Sequence, residues 1–428
     1  MTDAYVITTL PGGVRVVTER IPAVRSVALG FWIGTGSCSE SDEQAGLSHL
    51  LEHMLFRGTE RYGSAEIDQI FDAMGAELNA GTGKESTSVY ARVLDQHLER
   101  AFDVIAQMVW APAMESLVEE REIVLEEIAM YEDDPQDLIF DILGETIFPE
   151  HPLGRATLGR SAVVSAATRE QLLSFHGQRY KPANVVIAAA GSVDHDTVVG
   201  WARDALPAVA DDGYHPAALA PPRPTGAAAR FRARDTEQYH LTLGGPAIAR
   251  DDERRFALRV LDSILGGTSS SRLFQAVREE RGLAYSVFTF QSLYAQTGQI
   301  GLYVGTRPEN VVEVGEVLAT ELARIREEAV SARELERAKD NVKGRVVLAL
   351  ESTGARMERL GASLLAGMPI LALDEMIERI EAVDIVGVGE LAAELLAPDR
   401  LSAAAIGPDE DVFRAAIAPL VPELAETK

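Results

Sequence analysis

A proline-rich stretch near the middle of the chain constrains its architecture most. Pro207, Pro216, Pro221, Pro222 and Pro224 fall within residues 207–229, together with Gly213, Gly226 and many alanines. Proline fixes φ and lacks an N–H, so such a segment continues neither a helix nor a central strand and reads as an interdomain linker. It cuts a chain of 428 residues almost in half, and that length exceeds what one compact core usually holds. The division predicts a domain at 1–206, a linker at 207–229 and a second domain at 230–428. So even a cut invites duplication.

The halves echo each other in pattern. Residues 26–36 (SVALGFWIGTG) form a strand-like run leading to a helix around His49, and residues 239–249 (YHLTLGGPAIA) form a similar run leading to a helix over 252–265. Residues 78–93 have strand composition and precede a helix over 97–109; residues 284–304 hold two strand-like runs and precede a helix over 310–328. Each half then adds helices and another strand, at 184–192 and 401–406. The expectation is an α+β fold of two similar domains, each a mostly antiparallel sheet with helices packed on it.

Composition narrows the function. Hydrophobic residues at 46% and charged residues at 25% are ordinary for a globular protein and exclude a disordered one. No apolar run approaches the ~20 residues of a membrane helix, and Met1-Thr2-Asp3-Ala4-Tyr5 has no basic region followed by an apolar stretch, so no secretory signal is expected. The lone Cys38 cannot form an intrachain disulfide and fits a reducing compartment, so a cytoplasmic protein is the expectation. A net charge of −26 argues against nucleic acid, which needs a basic footprint. The acidity reads as a solvated surface, or in part as a lining that attracts basic peptides.

One segment carries chemistry. In His49-Leu50-Leu51-Glu52-His53 two histidines stand four residues apart, with a glutamate just before the second. Ser41-Asp42-Glu43-Gln44 supply capping residues and early acids, and Gly58 a stop, so the segment reads as helical. Side chains at i and i+4 share a helix face, so both imidazoles can reach one ion, with Glu52 bordering that face. Two imidazoles and a carboxylate suit zinc, and a fourth position stays open for water whose pKa falls to about 7. Glu52 could take that proton, in the inverted form of the usual zinc-protease helix. The plain alternative, two half-buried histidines paired with Glu52, explains no third ligand. That ligand should be an acid on another helix. Residues 116–133 (SLVEEREIVLEEIAMYED), opened by a Ser116/Glu119 capping box, offer Glu119, Glu120, Glu122, Glu126 and Glu127. An apolar stripe of Val124, Ile128 and Tyr131, flanked by Ile123 and Met130, sets Glu120 and Glu127 toward the buried side. Periodicity leaves the choice open.

With these motifs the chain resembles the pitrilysin-type (M16) metallopeptidases, in particular the short bacterial members related to the mitochondrial processing peptidase. The resemblance spans nearly the whole chain. It includes Leu10-Pro11-Gly12-Gly13, residues 46–59 (GLSHLLEHMLFRGT), Asn79-Ala80 with Glu85, Glu120-Arg121, and Glu126-Glu127. It continues through Tyr180-Lys181-Pro182-Ala183-Asn184, residues 270–285 (SSRLFQAVREERGLAY), Glu351-Ser352, and Arg356-Met357 to Gly361. The family motif is His-x-x-Glu-His followed by a glutamate some 75 positions on. Glu127 lies 74 positions after His53 (127 − 53), so the resemblance selects it.

The resemblance implies that His49, His53 and Glu127 hold Zn2+ and that Glu52 is the general base. It implies that Glu120 orients a ligand from behind, that Asn79 and Ala80 form the strand edge where an extended peptide adds, and that Phe56 lines the pocket beside the scissile bond. It implies further that Arg278 and Tyr285, from the second domain, complete the chemistry by binding the oxyanion or the substrate backbone. Relatives that enclose substrate use four such domains. This chain has two, so a homodimer is expected, or a heterodimer with a paralogue, acting on unfolded peptides in a closed chamber. The competing expectations are a non-catalytic or weakly active partner subunit of the same fold, and a zinc hydrolase acting on something other than peptides.

Overall fold

The computed structural model describes residues 5–207, 219–223 and 225–425. Residues 208–218 and 224 of the expected linker therefore lie outside the described residues. Strands β1 (Tyr5–Thr9), β2 (Arg15–Arg20) and β3 (Ser26–Ile33) lead to helices α1 (Leu47–Leu55) and α2 (Ser64–Met74). A hairpin of β4 (Glu77–Thr82) and β5 (Thr87–Leu94) follows. Helices α3 (Leu98–Trp110), α4 (Leu117–Asp133), α5 (Pro135–Ile147), α6 (Ser161–Ala166) and α7 (Arg169–Arg179) precede β6 (Val185–Gly191) and α8 (His195–Ala205). Then come β7 (Ala229–Ala233), β8 (Tyr239–Ala247), α9 (Arg255–Leu265), β9 (Ala284–Leu293) and β10 (Gly298–Thr306). Helices α10 (Val311–Glu327), α11 (Ala332–Ala349), α12 (Thr353–Leu365), α13 (Leu373–Glu381) and α14 (Ile385–Leu395) precede β11 (Ser402–Gly407) and α15 (Glu410–Ile417).

These elements make two compact units. The first comprises Met1–Ala129, Ala156–Leu219 and Val347–Leu373; the second comprises Met130–Arg155, Ala220–Val346 and Asp374–Lys428. Each half of the chain thus lends one segment to the other unit, a feature beyond the single cut at 207–229. Helix α5 packs on β8 and β11 of the second sheet, and α12 packs on β3 and β6 of the first. The sheets are ordered β1-β2-β6-β3-β5-β4 and β7-β11-β8-β10-β9. Both are antiparallel apart from one parallel pair each, β2 with β6 and β7 with β11. Setting β1 aside, both follow one strand order: first, fifth, second, fourth, third. The α+β expectation of two similar domains holds at the level of topology.

The first sheet is buried on both faces. One face carries Leu29, Phe31, Val89, Ile187 and Ala189 into a core with Leu50, Leu51, Phe102 and Ile105 from the helices. On the other face Ala28, Trp32, Val186 and Ala188 meet Met357 and Leu360 of α12. Double coverage explains the uninterrupted apolar run of β6, whose seven residues are all buried. Close approach of α12 requires glycine: a Cβ at Gly361 would stand 2.1 Å from Trp32 Nε1, and one at Gly30 2.6 Å from Met357 Sδ. Trp32 Nε1 donates to Met357 Sδ at 3.4 Å. The buried Glu19 carboxylate pairs with Arg356 and, at 2.9 Å, with Arg359, both on the same helix.

The start of α1 differs from expectation. Ser41 and Gln44 form a capping box, but on a separate 3-10 turn over Asp42–Gln44. Helix α1 begins after Gly46, whose φ of 107° is left-handed. Its first amides are capped by a buried acid instead: Glu40 accepts from Gly46 N at 2.9 Å and from Ser48 N at 2.7 Å. Among the described residues no helix is long and apolar enough to cross a membrane.

Candidate metal centre

Helix α1 is held between sheet and helices by Leu50, Leu51, Met54 and Leu55, all fully buried. That packing fixes the opposite stripe, His49, Glu52 and His53, with little freedom. The His49 and His53 rings meet edge to face with centroids 4.6 Å apart. Glu127 reaches them from α4: its Oε2 lies 3.7 Å from His49 Nε2 and 3.3 Å from His53 Nε2. One donor atom from each of the three residues lies within 4.8 Å of the other two, and they form the metal-competent cluster among the described residues.

The donor set fits zinc better than it fits an ion pair. Burial, aided by the neighbouring His53, pushes the His49 imidazolium down to about 4, so its ring is neutral at physiological pH and its approach to Glu127 is not a salt bridge. Two imidazole lone pairs and a carboxylate oxygen converging on one point are the ligands a divalent zinc takes. His49, His53 and Glu127 would hold it.

Behind these three residues stands a charged support. Glu120, 3% exposed, accepts from His53 Nδ1 at 2.8 Å. A carboxylate can only accept there, so Nδ1 carries a proton, and Nε2, on the Glu127 side, is the nitrogen able to meet a metal. The other Glu120 oxygen pairs with Arg57 Nε. Sequence reading singled out Glu120 and missed Arg57, which stands one helical turn beyond His53 and could have been found by that spacing. The periodicity used for α4 was wrong in one respect. Ile123 and Met130 are 45% and 68% exposed, while Glu120, Val124 and Ile128 form the buried line. Ser116, read as a cap, takes a left-handed φ of 57°.

Glu52 is half-buried on the same helix and points to the sheet. Thr82 Oγ1 donates to its Oε2 at 2.5 Å. Burial pushes the Glu52 carboxyl up, and the Thr82 hydrogen bond opposes that rise. Thr82 closes β4, the edge strand of the first sheet, which among the described residues pairs only with β5. Asn79 and Ala80 lie on that strand, opposite Tyr90 and Val89. Asn79 is exposed, and its Oδ1 accepts from Ala80 N at 2.8 Å. Phe56 caps the C-terminus of α1 and packs, half-buried, against the first unit's core.

Arg278 and Tyr285 belong to the second unit. Arg278 sits on a π-helical turn, Phe274–Glu279. Its guanidinium lies 4.3 Å from the Tyr285 ring centroid and 4.8 Å from that of Phe274, and its Nη1 donates to Tyr285 O at 3.0 Å. Tyr285 is 76% exposed. The structure pairs the two side chains with each other.

Comparison with known proteins identifies the family of the chain. Residues 15–161 match the model of the insulinase family (peptidase family M16), and residues 166–342 match that of the peptidase M16 inactive domain. The first match contains His49, Glu52, His53 and Glu127. The chain is 43% identical over 412 residues to an uncharacterized zinc protease of Streptomyces coelicolor, covering 94% of this chain and 90% of that one. It is 38% identical over 401 residues to another of Bacillus subtilis, covering 91% and 95%. A protease from Helicobacter pylori has the same fold, with a TM-score of 0.88 at 19% identity over 95% of this chain and all of that one. A peptidase M16 inactive domain from Pseudomonas fluorescens matches equally, with a TM-score of 0.88 at 23% identity over 95% of this chain and 98% of that one. The chain belongs to peptidase family M16, whose metal is zinc.

Proposed function

We propose that the protein is a zinc-dependent endopeptidase that hydrolyses unfolded peptides or oligopeptides. The observation that carries this reading is the convergence of His49, His53 and Glu127, with Glu52 beside them and tied to an edge strand. When bound, zinc supplies Lewis acidity toward water and the peptide carbonyl. The remaining work belongs to the chain. Glu52 takes a proton from the attacking water and returns it to the leaving amine. The free edge of β4 receives the substrate as an added strand, which displaces the Asn79 side chain from Ala80 N and uses that N–H for the peptide. Phe56 borders the bound side chains, and Glu120 keeps His53 in its metal-binding tautomer. Arg278 and Tyr285 provide hydrogen-bond donors for the oxyanion or the substrate backbone. The site is completed in a homodimer, or in a heterodimer with a paralogue, that encloses the substrate. The net charge of −26 favours basic peptides within such a chamber.

Metal analysis with a quenched-peptide assay tests this. Zinc should be present near one per chain, cleavage should stop with chelator and return with zinc. Glu52→Gln should keep the metal and lose roughly 10²–10⁴-fold in turnover. Chelator-insensitive cleavage, or a Glu52→Gln protein as active as the wild type, would overturn the assignment. Zinc without any peptide cleavage would favour the partner-subunit reading.

A further inference from the structure

We infer that Thr82 is a positioning residue for Glu52, and that Thr87, whose own proton is committed elsewhere, leaves the Thr82 proton to the glutamate. The inference rests on the peptidase reading of the site given above.

The geometry defines where each hydroxyl proton goes. Thr87 Oγ1 is fully buried and donates to Thr35 O at 2.9 Å. A hydroxyl has one proton and two lone pairs, so Thr87 presents only a lone pair to Thr82, whose Oγ1 is 3.3 Å away. Thr82 therefore has one proton and two acceptors. Glu52 Oε2, at 2.5 Å, is the nearer and takes it. The Thr82 hydroxyl thereby fixes one carboxyl oxygen of Glu52 against the edge strand and restricts how the carboxyl group can turn, which is what a base that must meet its substrate in one orientation requires.

The arrangement also ties two roles together. Thr82 is two residues from Ala80 on β4, so the strand proposed to bind peptide also sets the place of the base. The clip is built between a helix and an edge strand, and a shift of either would be felt by the other.

The test uses the full-length zinc-loaded protein and a quenched peptide. Thr82→Val keeps shape and strand propensity but removes the hydroxyl. It should lower kcat roughly tenfold or more, with KM and zinc content within about twofold of the wild type. Thr82→Ser should restore most of the loss. Thr87→Val should leave kcat closer to the wild type than Thr82→Val does, because Thr82 can still donate to Glu52. A measurement independent of turnover accompanies these: the melting temperatures of the metal-free wild type, Thr82→Val, Glu52→Leu and the double variant. The two shifts should be non-additive, as for groups in direct contact. Wild-type kcat in Thr82→Val, an effect confined to KM, no rescue by serine, or additive melting shifts would each overturn the inference. If the wild type cleaves nothing in a zinc-dependent way, the peptidase reading falls, and the melting cycle still decides whether Thr82 holds Glu52.

Discussion

Arg57 and Glu120 show how much of the proposed metal site lies behind the residues that would hold the ion. A carboxylate as buried as Glu120 costs several kcal/mol unless it is paired, and Arg57 is its charged partner while His53 is its client. Arg57→Met should therefore weaken zinc binding about 10–100-fold, the usual cost of losing support behind a ligand, and Arg57→Lys should recover part of it. Competition with a zinc indicator measures this directly, and an unchanged affinity would show that His53 needs no such support. Sequence spacing reached His49, Glu52 and His53 because a helix repeats every 3.6 residues and places i and i+4 together. It did not reach Thr82, because no local periodicity links a helix to a strand thirty residues later.

At the scale of elements, the two units share more than strand order. In the first, Thr82 on edge strand β4 donates to Glu52 on α1. In the second, Thr289 on edge strand β9 donates to Asp262 on α9 at 2.6 Å. Helices α1 and α9 each follow the second strand of the repeated order, and β4 and β9 each come third. A carboxylate–threonine clip from helix to edge strand thus occurs twice, once beside the metal cluster and once on a helix whose sequence, RFALRVLDSIL, contains no histidine. Burial pushes Asp262 up and the Thr289 bond opposes it, the same balance as at Glu52. The contact of α12 with its sheet is a second element-scale device, and it depends on an absent side chain. Gly361→Ala places a methyl group against Trp32 and should destabilise the first unit by about 1–3 kcal/mol through overpacking. Differential scanning calorimetry and tryptophan fluorescence follow it. An unchanged melting profile would mean that the helix can retreat at no cost.

For the molecule as a whole, the decisive count is of units. Two are present, one with the metal cluster and one with the exposed Tyr285 and its arginine. If the proposed homodimer shares its sites, mixing equal amounts of Glu52→Gln and Tyr285→Phe protein should restore activity, approaching about a quarter of wild type when subunits exchange freely by mass action. Each mixed dimer would hold one intact set of groups. Absence of recovery in mixed dimers verified by mass would show that each chain works alone. Duplication was visible in the sequence only as a faint echo because the repeat is one of hydrophobic pattern. Strand order depends on pairings between residues far apart, which pattern alone does not specify.

What the sequence determined by itself was local. Proline chemistry predicted a linker at 207–229, alternating and continuous apolar runs marked the strands, and the i, i+4 histidines marked the helix that bears the proposed site. The tertiary structure decided which glutamate of α4 faces the histidines, sent α5 and α12 to the sheets of the opposite halves, and closed the Thr82 hydroxyl onto Glu52. The reason is physical. Periodicity is written in neighbouring residues, but burial and a hydrogen bond between distant segments exist only after the chain has lost the entropy of bringing them together.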